Sequence, residues 1–152
     1  MANIQHSSLT GSDLHEPKGV AAASNNTVYV ANGSASGSWQ SRQHIISAYL
    51  EDVSSVETIY VPIPFAGNII KVQSILEASI GSADSTVTIK NSSGTSMGTI
   101  TVAYSGSAAG NMDYVEPSSD NATVDNDYIT IQSDGASTNT AKLRLAIVLE
   151  RT

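Results

Sequence analysis

The sequence predicts an all-β protein, an antiparallel β-sandwich of jelly-roll-like type with an extended N-terminal arm. Three observations predict it. Residues 1–41 contain almost no apolar run that could be buried, whereas from Arg42 onward short stretches of alternating apolar and polar residues follow one another. These stretches are separated by Gly, Ser, Asn and Asp at intervals of roughly 8–15 residues, the spacing of short strands joined by turns. No segment carries a convincing amphipathic helical period.

In the arm, residues 1–18 are polar apart from isolated Ile4, Leu9 and Leu14. The string Leu14-His15-Glu16-Pro17-Lys18-Gly19 is extended with a turn, because Pro17 biases Glu16 away from helix and Gly19 permits a reversal. Ala21 to Ser24 could start a helical turn that Asn25-Asn26 stops. Val28-Tyr29-Val30 reads as a short strand, and Asn32 to Ser38 reads by composition as a flexible linker. Trp39, the single tryptophan, closes that linker. The boundaries are therefore 1–41 for arm and linker and 42–152 for the sandwich.

Within the domain, Gln43 to Leu50 carries Ile45, Ile46, Tyr49 and Leu50, and Val56 to Val61 is β-branched and aromatic. Pro62 and Pro64 cannot sit in a central ladder and mark a strand edge or corner. Phe65 to Asn68 is a turn. Asn68 to Leu76 is expected to place Ile70, Val72 and Leu76 on one side. The segment from Ile75 to Ile80 reads as strand end and loop. Ser85 to Lys90 puts Val87 and Ile89 inward, and Asn91 to Gly94 is a hairpin-type turn. Thr99 to Tyr104 repeats the pattern with Ile100, Val102 and Tyr104. Asp127 to Gln132 turns Ile129 and Ile131 inward. Ala141 to Glu150 is the strongest strand, with Leu143, Leu145, Ile147 and Leu149 in and Lys142, Arg144 and Glu150 out. The total is about eight strands.

Composition narrows the function. A chain of 152 residues holds one domain plus an extension. Charged residues make up only 14 %, with Ser, Thr, Asn and Gly filling the surface. A net charge of −7 and scattered cations give no basic field, so neither nucleic acid nor an anionic membrane is expected as a partner. No cysteine is present, which removes disulfides, thiolate metal sites and cysteine nucleophiles. The N-terminus lacks the basic and apolar regions of a signal peptide, and no stretch reaches the roughly 20 apolar residues of a membrane helix, so synthesis in a cytoplasm is expected.

The chemistry-bearing residues point away from catalysis. His6, His15 and His44 are far apart and none has a partner at metal-ligand spacing. The stretch Asp120 to Asp127 is the best cation candidate, but it lacks the glycine and terminal glutamate of a calcium loop and reads better as a solvated turn with Asx caps. Serines abound without a Gly-x-Ser-x-Gly elbow between strand and helix. Glu51, Asp52, Glu57, Glu77 and Glu116 could pair as glycosidase acids, yet one Trp, one Phe and six Tyr make a thin sugar platform. The expectation is a non-enzyme with no cofactor and no metal. Trp39 is either an anchor in a neighbour's pocket or a lid over the domain's own end.

A family resemblance adds to this. Leu14-His15-Glu16-Pro17-Lys18-Gly19-Val20, then Val28-Tyr29-Val30-Ala31 and Gly37-Ser38-Trp39, resemble the N-terminal arm of tailed-bacteriophage head proteins. Tyr60-Val61-Pro62-Ile63-Pro64-Phe65-Ala66-Gly67, Ser105 to Gly110, Asp127-Tyr128-Ile129 and Ser133-Asp134-Gly135 are similar to the β-sandwich of phage capsid decoration and head-fibre proteins. The resemblance implies a structural virion protein, a homotrimer, bound to the outer capsid surface and cementing it. Its partner would be the major capsid protein, contacted by the arm through Leu14, His15, Glu16, Pro17, Lys18, Gly19 and Trp39. The alternative is a head or tail fibre module that attaches to host-surface carbohydrate. A secreted carbohydrate-binding module is disfavoured by the missing signal and the scarce aromatics.

Overall fold

A computed structural model describes residues 23–32 and 37–152. The chain divides into two units, Met1–Ser41 and Arg42–Thr152. The string Leu14 to Gly19 lies outside the described residues.

In the first unit, β1 (Thr27–Ala31) and β2 (Gly37–Ser41) form an antiparallel hairpin in which Tyr29 faces Trp39 and Ala31 faces Gly37. The Val-Tyr-Val strand is as expected. The linker reading is corrected, because Gly37 and Ser38 belong to β2. Glycine and serine favour a flexible chain only while their backbone has no partner, and here β1 supplies one. Gly37 also lets the strands close, since a Cβ there would lie 2.8 Å from the Tyr29 ring.

The second unit is a two-sheet sandwich. Its strands are β3 (Gln43–Leu50), β4 (Thr58–Ile63), β5 (Gly67–Leu76), β6 (Ser85–Lys90), β7 (Ser96–Val102), β8 (Met112–Val115), β9 (Ala122–Thr123), β10 (Asp127–Ser133) and β11 (Leu143–Arg151). One sheet runs β4-β10-β6-β7 and the other β3-β11-β5-β8, with β9 also on β5. All these pairings are antiparallel. The pairs β3 with β11, β4 with β10, β5 with β8 and β6 with β7 are nested like one long hairpin. The further pairs β11 with β5 and β10 with β6 roll that hairpin up, which is the jelly-roll order.

The core lies between the sheets and follows the two-residue period. Leu143, Leu145, Ile147 and Leu149 of β11 are all buried, as are Val87 and Ile89 of β6 and Ile129 and Ile131 of β10. Pro62 sits in β4, an edge strand, where its missing N–H costs no ladder bond. In the β6–β7 turn the Gly94 N–H donates to the Asn91 carbonyl at 2.9 Å, and Gly94 takes a φ of +83°, a conformation glycine adopts without strain.

Two inward assignments and one strand start differ. Ile69 rather than Ile70 is buried in β5, because the register with β11 shifts between Val148 and Leu149. Val148 faces Lys71 and Leu149 faces Ile69, so Ile70 is the extra residue of a bulge that resets the phase. Tyr104 is exposed, since β7 ends at Val102 and the Tyr104 N–H is held by the Asp84 carboxylate at 3.0 Å. Val56 is exposed because β4 begins at Thr58. Strands β8 and β9 were not expected from the sequence; they are short and lie in a polar region without clear alternation.

One carboxylate ties the loops at one end of the sandwich. Asp52 Oδ1 accepts from the Ser54 hydroxyl at 2.6 Å, the Ser54 N–H at 2.9 Å and the Ala141 N–H at 3.3 Å, and Oδ2 accepts from the Thr140 hydroxyl at 3.3 Å. The Ser54 hydroxyl foremost holds the Asp52 carboxyl below its ordinary range, against a partial opposing effect of burial. A depressed folded-state pKa contributes stability above the unfolded pKa and loses it as pH falls through the folded value. Asp134 and Asp127 are lowered too; burial opposes the shift in each, and hydrogen bonds outweigh it. The melting temperature is therefore expected to fall as pH drops from about 5 to about 2. The fall should be shallower in Asp52→Asn, measured by calorimetry across that window. Equal slopes in the two proteins would mean that Asp52 contributes nothing to acid sensitivity.

Candidate functional site

The two outer faces of the sandwich differ in chemistry. On the β4-β10-β6-β7 sheet the outward positions hold Thr58, Thr130, Gln132, Thr86, Thr88, Lys90, Thr99 and Thr101, a hydroxyl-rich surface. Its aromatic feature is Tyr60 beside Tyr128, with ring centroids 5.7 Å apart. On the β3-β11-β5-β8 sheet the outward positions include the apolar Ile45, Tyr49, Ala146, Val148, Ile75, Met112 and Tyr114 among the polar Gln43, Ser47, Lys71, Gln73 and Arg144. Cross-strand register brings them side by side: Val148 faces Ile45, Arg144 faces both Tyr49 and Ile75, and Ile75 faces Met112.

This second face carries a group of exposed apolar side chains. Ile45 is 70 % exposed, Met112 62 % and Tyr114 61 %. A shallow depression of about 240 Å³ opens at its middle, lined by Gln73, Ile75, Met112, Arg144 and Ala146. Three cations of this face are paired with carboxylates just beyond the strand ends. Lys142 Nζ lies 2.9 Å from Glu51 and over the Tyr49 ring, Lys71 Nζ lies 3.6 Å from Glu116 and over the Tyr114 ring, and Arg144 pairs with Glu77. Glu51 foremost pushes the Lys142 ammonium pKa above its ordinary value.

Of the arm residues expected to bind, Trp39 is described. It is half-buried on β2 and packs edge-on against Tyr29, with ring centroids 5.4 Å apart. Leu14, His15, Glu16, Pro17, Lys18 and Gly19 lie outside the described residues. In the Asp120 to Asp127 stretch two of the carboxylates serve the backbone. Asp125 accepts from the Ala66 N–H at 2.8 Å and Asp127 from the Tyr128 N–H at 2.8 Å. Among the described residues no three His, Asp or Glu gather as a metal-ligand set.

The apolar face was missed from the sequence, although a signal for it was present. Adjacent residues of a strand point to opposite faces. The doublets Ile45-Ile46, Tyr49-Leu50 and Ile75-Leu76, and the run Ala146-Ile147-Val148, therefore require apolar residues on both faces of one sheet.

No protein-family model matches the chain, and no curated protein matches it. Among solved structures, a chain in the acidic stable capsid structure of Helicobacter pylori bacteriophage KHP30 shares the fold. It aligns with a TM-score of 0.51 at 13 % identity, over 71 % of this chain and 86 % of that one. CsCBM6-3 from Clostridium stercorarium, solved in complex with cellobiose, aligns with a TM-score of 0.42 at 16 % identity, over 85 % of each chain.

Proposed function

We propose that this protein is a non-enzymatic structural component of a phage virion, bound to the outer surface of the capsid and cementing it. The observation that carries the reading is the group of exposed apolar side chains on the β3-β11-β5-β8 sheet, a surface suited to a protein partner. The jelly-roll order, an architecture used by viral capsid and lectin domains, supports it, as does the fold shared with a chain of a phage capsid structure. The arm resemblance gives the remaining support and makes residues 1–41 the tether to the major capsid protein. Binding selectively to the assembled lattice stabilises it by mass action, as does any ligand that prefers one state. The protein would be made in the host cytoplasm and end on the particle surface.

The test is co-sedimentation of the purified chain with capsids that lack it, followed by heating. Saturable binding and a higher disruption temperature are expected. A chain that stays in the supernatant at micromolar concentration removes the reading.

One observation favours a second reading, a fibre module that attaches to host carbohydrate. The exposed Tyr60 and Tyr128 rings form an aromatic pair amid hydroxyl donors on the opposite sheet. A glycan array whose signal disappears in Tyr60→Ala would support it; no signal on any glycan would remove it.

A further inference from the structure

A sheet edge exposes unpaired N–H and C=O groups, and proteins ordinarily blunt such edges. The sandwich has four edge strands, β4 and β7 in one sheet and β3 and β8 in the other. Three are blunted. Strand β4 contains Pro62 and is followed by Pro64. The pairing of β7 is interrupted by a register shift opposite Ile89 and Lys90. Strand β8 is four residues long. Strand β3 has none of these devices. It runs eight residues, Gln43–Leu50, without Pro, Lys, Arg, Asp or Glu, and its register with β11 is unbroken.

The phase of the open edge follows from one hydrogen bond. The Arg151 N–H donates to the Arg42 carbonyl at 2.9 Å, so positions 42, 44, 46, 48 and 50 turn their backbone groups toward β11. Gln43, Ile45, Ser47 and Tyr49 turn theirs to the other side, where no described strand pairs with them. Their side chains are the exposed ones of the strand.

We propose that β3 is a self-association edge, at which a second copy of this chain pairs antiparallel about a two-fold axis through Ser47. With Ser47 opposite Ser47 of the second copy, Ile45 falls opposite Tyr49 and Tyr49 opposite Ile45. All three are hydrogen-bonded pairs of the phase just derived. On the outer face the axis thus creates two identical aliphatic–aromatic cross-strand pairs, a favoured combination. On the inner face Ile46 meets Ala48. Self-pairing fits this strand because a two-fold axis repeats every residue against its own sequence. A strand without formal charge does so without like-charge contacts, even in a chain of net charge −7. The apolar outer faces of the two copies then run together. The pair closes at two copies, in place of the homotrimer that the sequence resemblance implies, and it does not rest on the capsid reading.

The absence of cysteine allows a direct test with single cysteines in the full chain. Paired Cα atoms at a hydrogen-bonded site lie about 5.5 Å apart, inside the range a disulfide spans. Ser47→Cys, under mild oxidation at micromolar concentration, is expected to give a disulfide-linked dimer. Ile45→Cys is exposed on the same strand, but its own copy lies about four residues, or ~13 Å, away in this register, so it should cross-link about tenfold more slowly or not at all. Ile45→Cys combined with Tyr49→Cys should restore cross-linking. Thr101→Cys, on the outer face of β7, reports random collision. Equal rates for Ser47→Cys, Ile45→Cys and Thr101→Cys would overturn the proposal, as would light scattering that gives a trimer or a clean monomer for the unmodified chain. The measurements use no capsid, so failure here is separable from failure of the capsid reading.

Discussion

Leu145→Asp is expected to unfold the sandwich, while a change at the adjacent Arg144 leaves it folded. Leu145 sits in the middle of β11 with 3 % of its surface exposed, and β11 is itself central, flanked by β3 and β5. Its direct neighbours across the sheet are Ala48 and Ser74, neither of which carries a charge to pair with a carboxylate. Burying an unpaired carboxylate costs several kcal/mol even after protonation, against a total stability of about 5–15 kcal/mol for a domain of this size. Arg144 points to the outer face and pairs with Glu77 there. Exposed pairs contribute little, so Arg144→Gln should cost about 0–1 kcal/mol. Urea melts of the two variants decide it. Similar midpoints would mean that β11 does not separate an inner from an outer face.

The alternation behind that prediction is what made most of the fold legible. Strands whose apolar residues recur at every second position, such as β6, β10 and β11, could be read directly, because burial on one face imposes the period. The two prolines placed β4 at an edge for an equally local reason. Non-local facts could not be read in this way. The bulge at Ile70 depends on how β5 registers with β11, some seventy-five or more positions later in the chain, and nothing next to Ile70 announces it. The short strand β8 gains its ladder partner from β5, far away in the sequence. The hairpin of β1 and β2 shows the same limit from the other side. A Gly- and Ser-rich stretch reads as linker until the partner across the turn is known. For the candidate site, the sequence drew attention to Trp39 and the Leu14 to Gly19 string. The apolar face was encoded in doublets such as Ile45-Ile46, whose meaning appears once both residues are placed on one strand.

Deletion of residues 1–41 is expected to leave the sandwich as stable as before and to abolish or greatly weaken its attachment to capsids. The first half follows from where the core lies. Among the described residues, every buried apolar residue falls between Leu50 and Leu149, so the deletion removes none of them. The thermal midpoint should move by less than about 3 °C, which for a domain of this size is under ~1 kcal/mol. The second half follows from the proposed role of the arm. A segment that engages a lattice over an extended path adds contacts that the sandwich face does not supply, so its loss removes affinity without touching the fold. Trp39→Ala in the full chain refines the test. Trp39 packs edge-on against Tyr29, so truncation removes the hairpin's cross-strand aromatic pair together with the anchor proposed for the arm. A hot-spot tryptophan costs about 2 kcal/mol or more when truncated, roughly a thirtyfold loss of affinity. Co-sedimentation of the three proteins with capsids reads both effects. If the truncated chain binds as tightly as the full one, the arm is not the tether, and the apolar sheet face must carry attachment by itself.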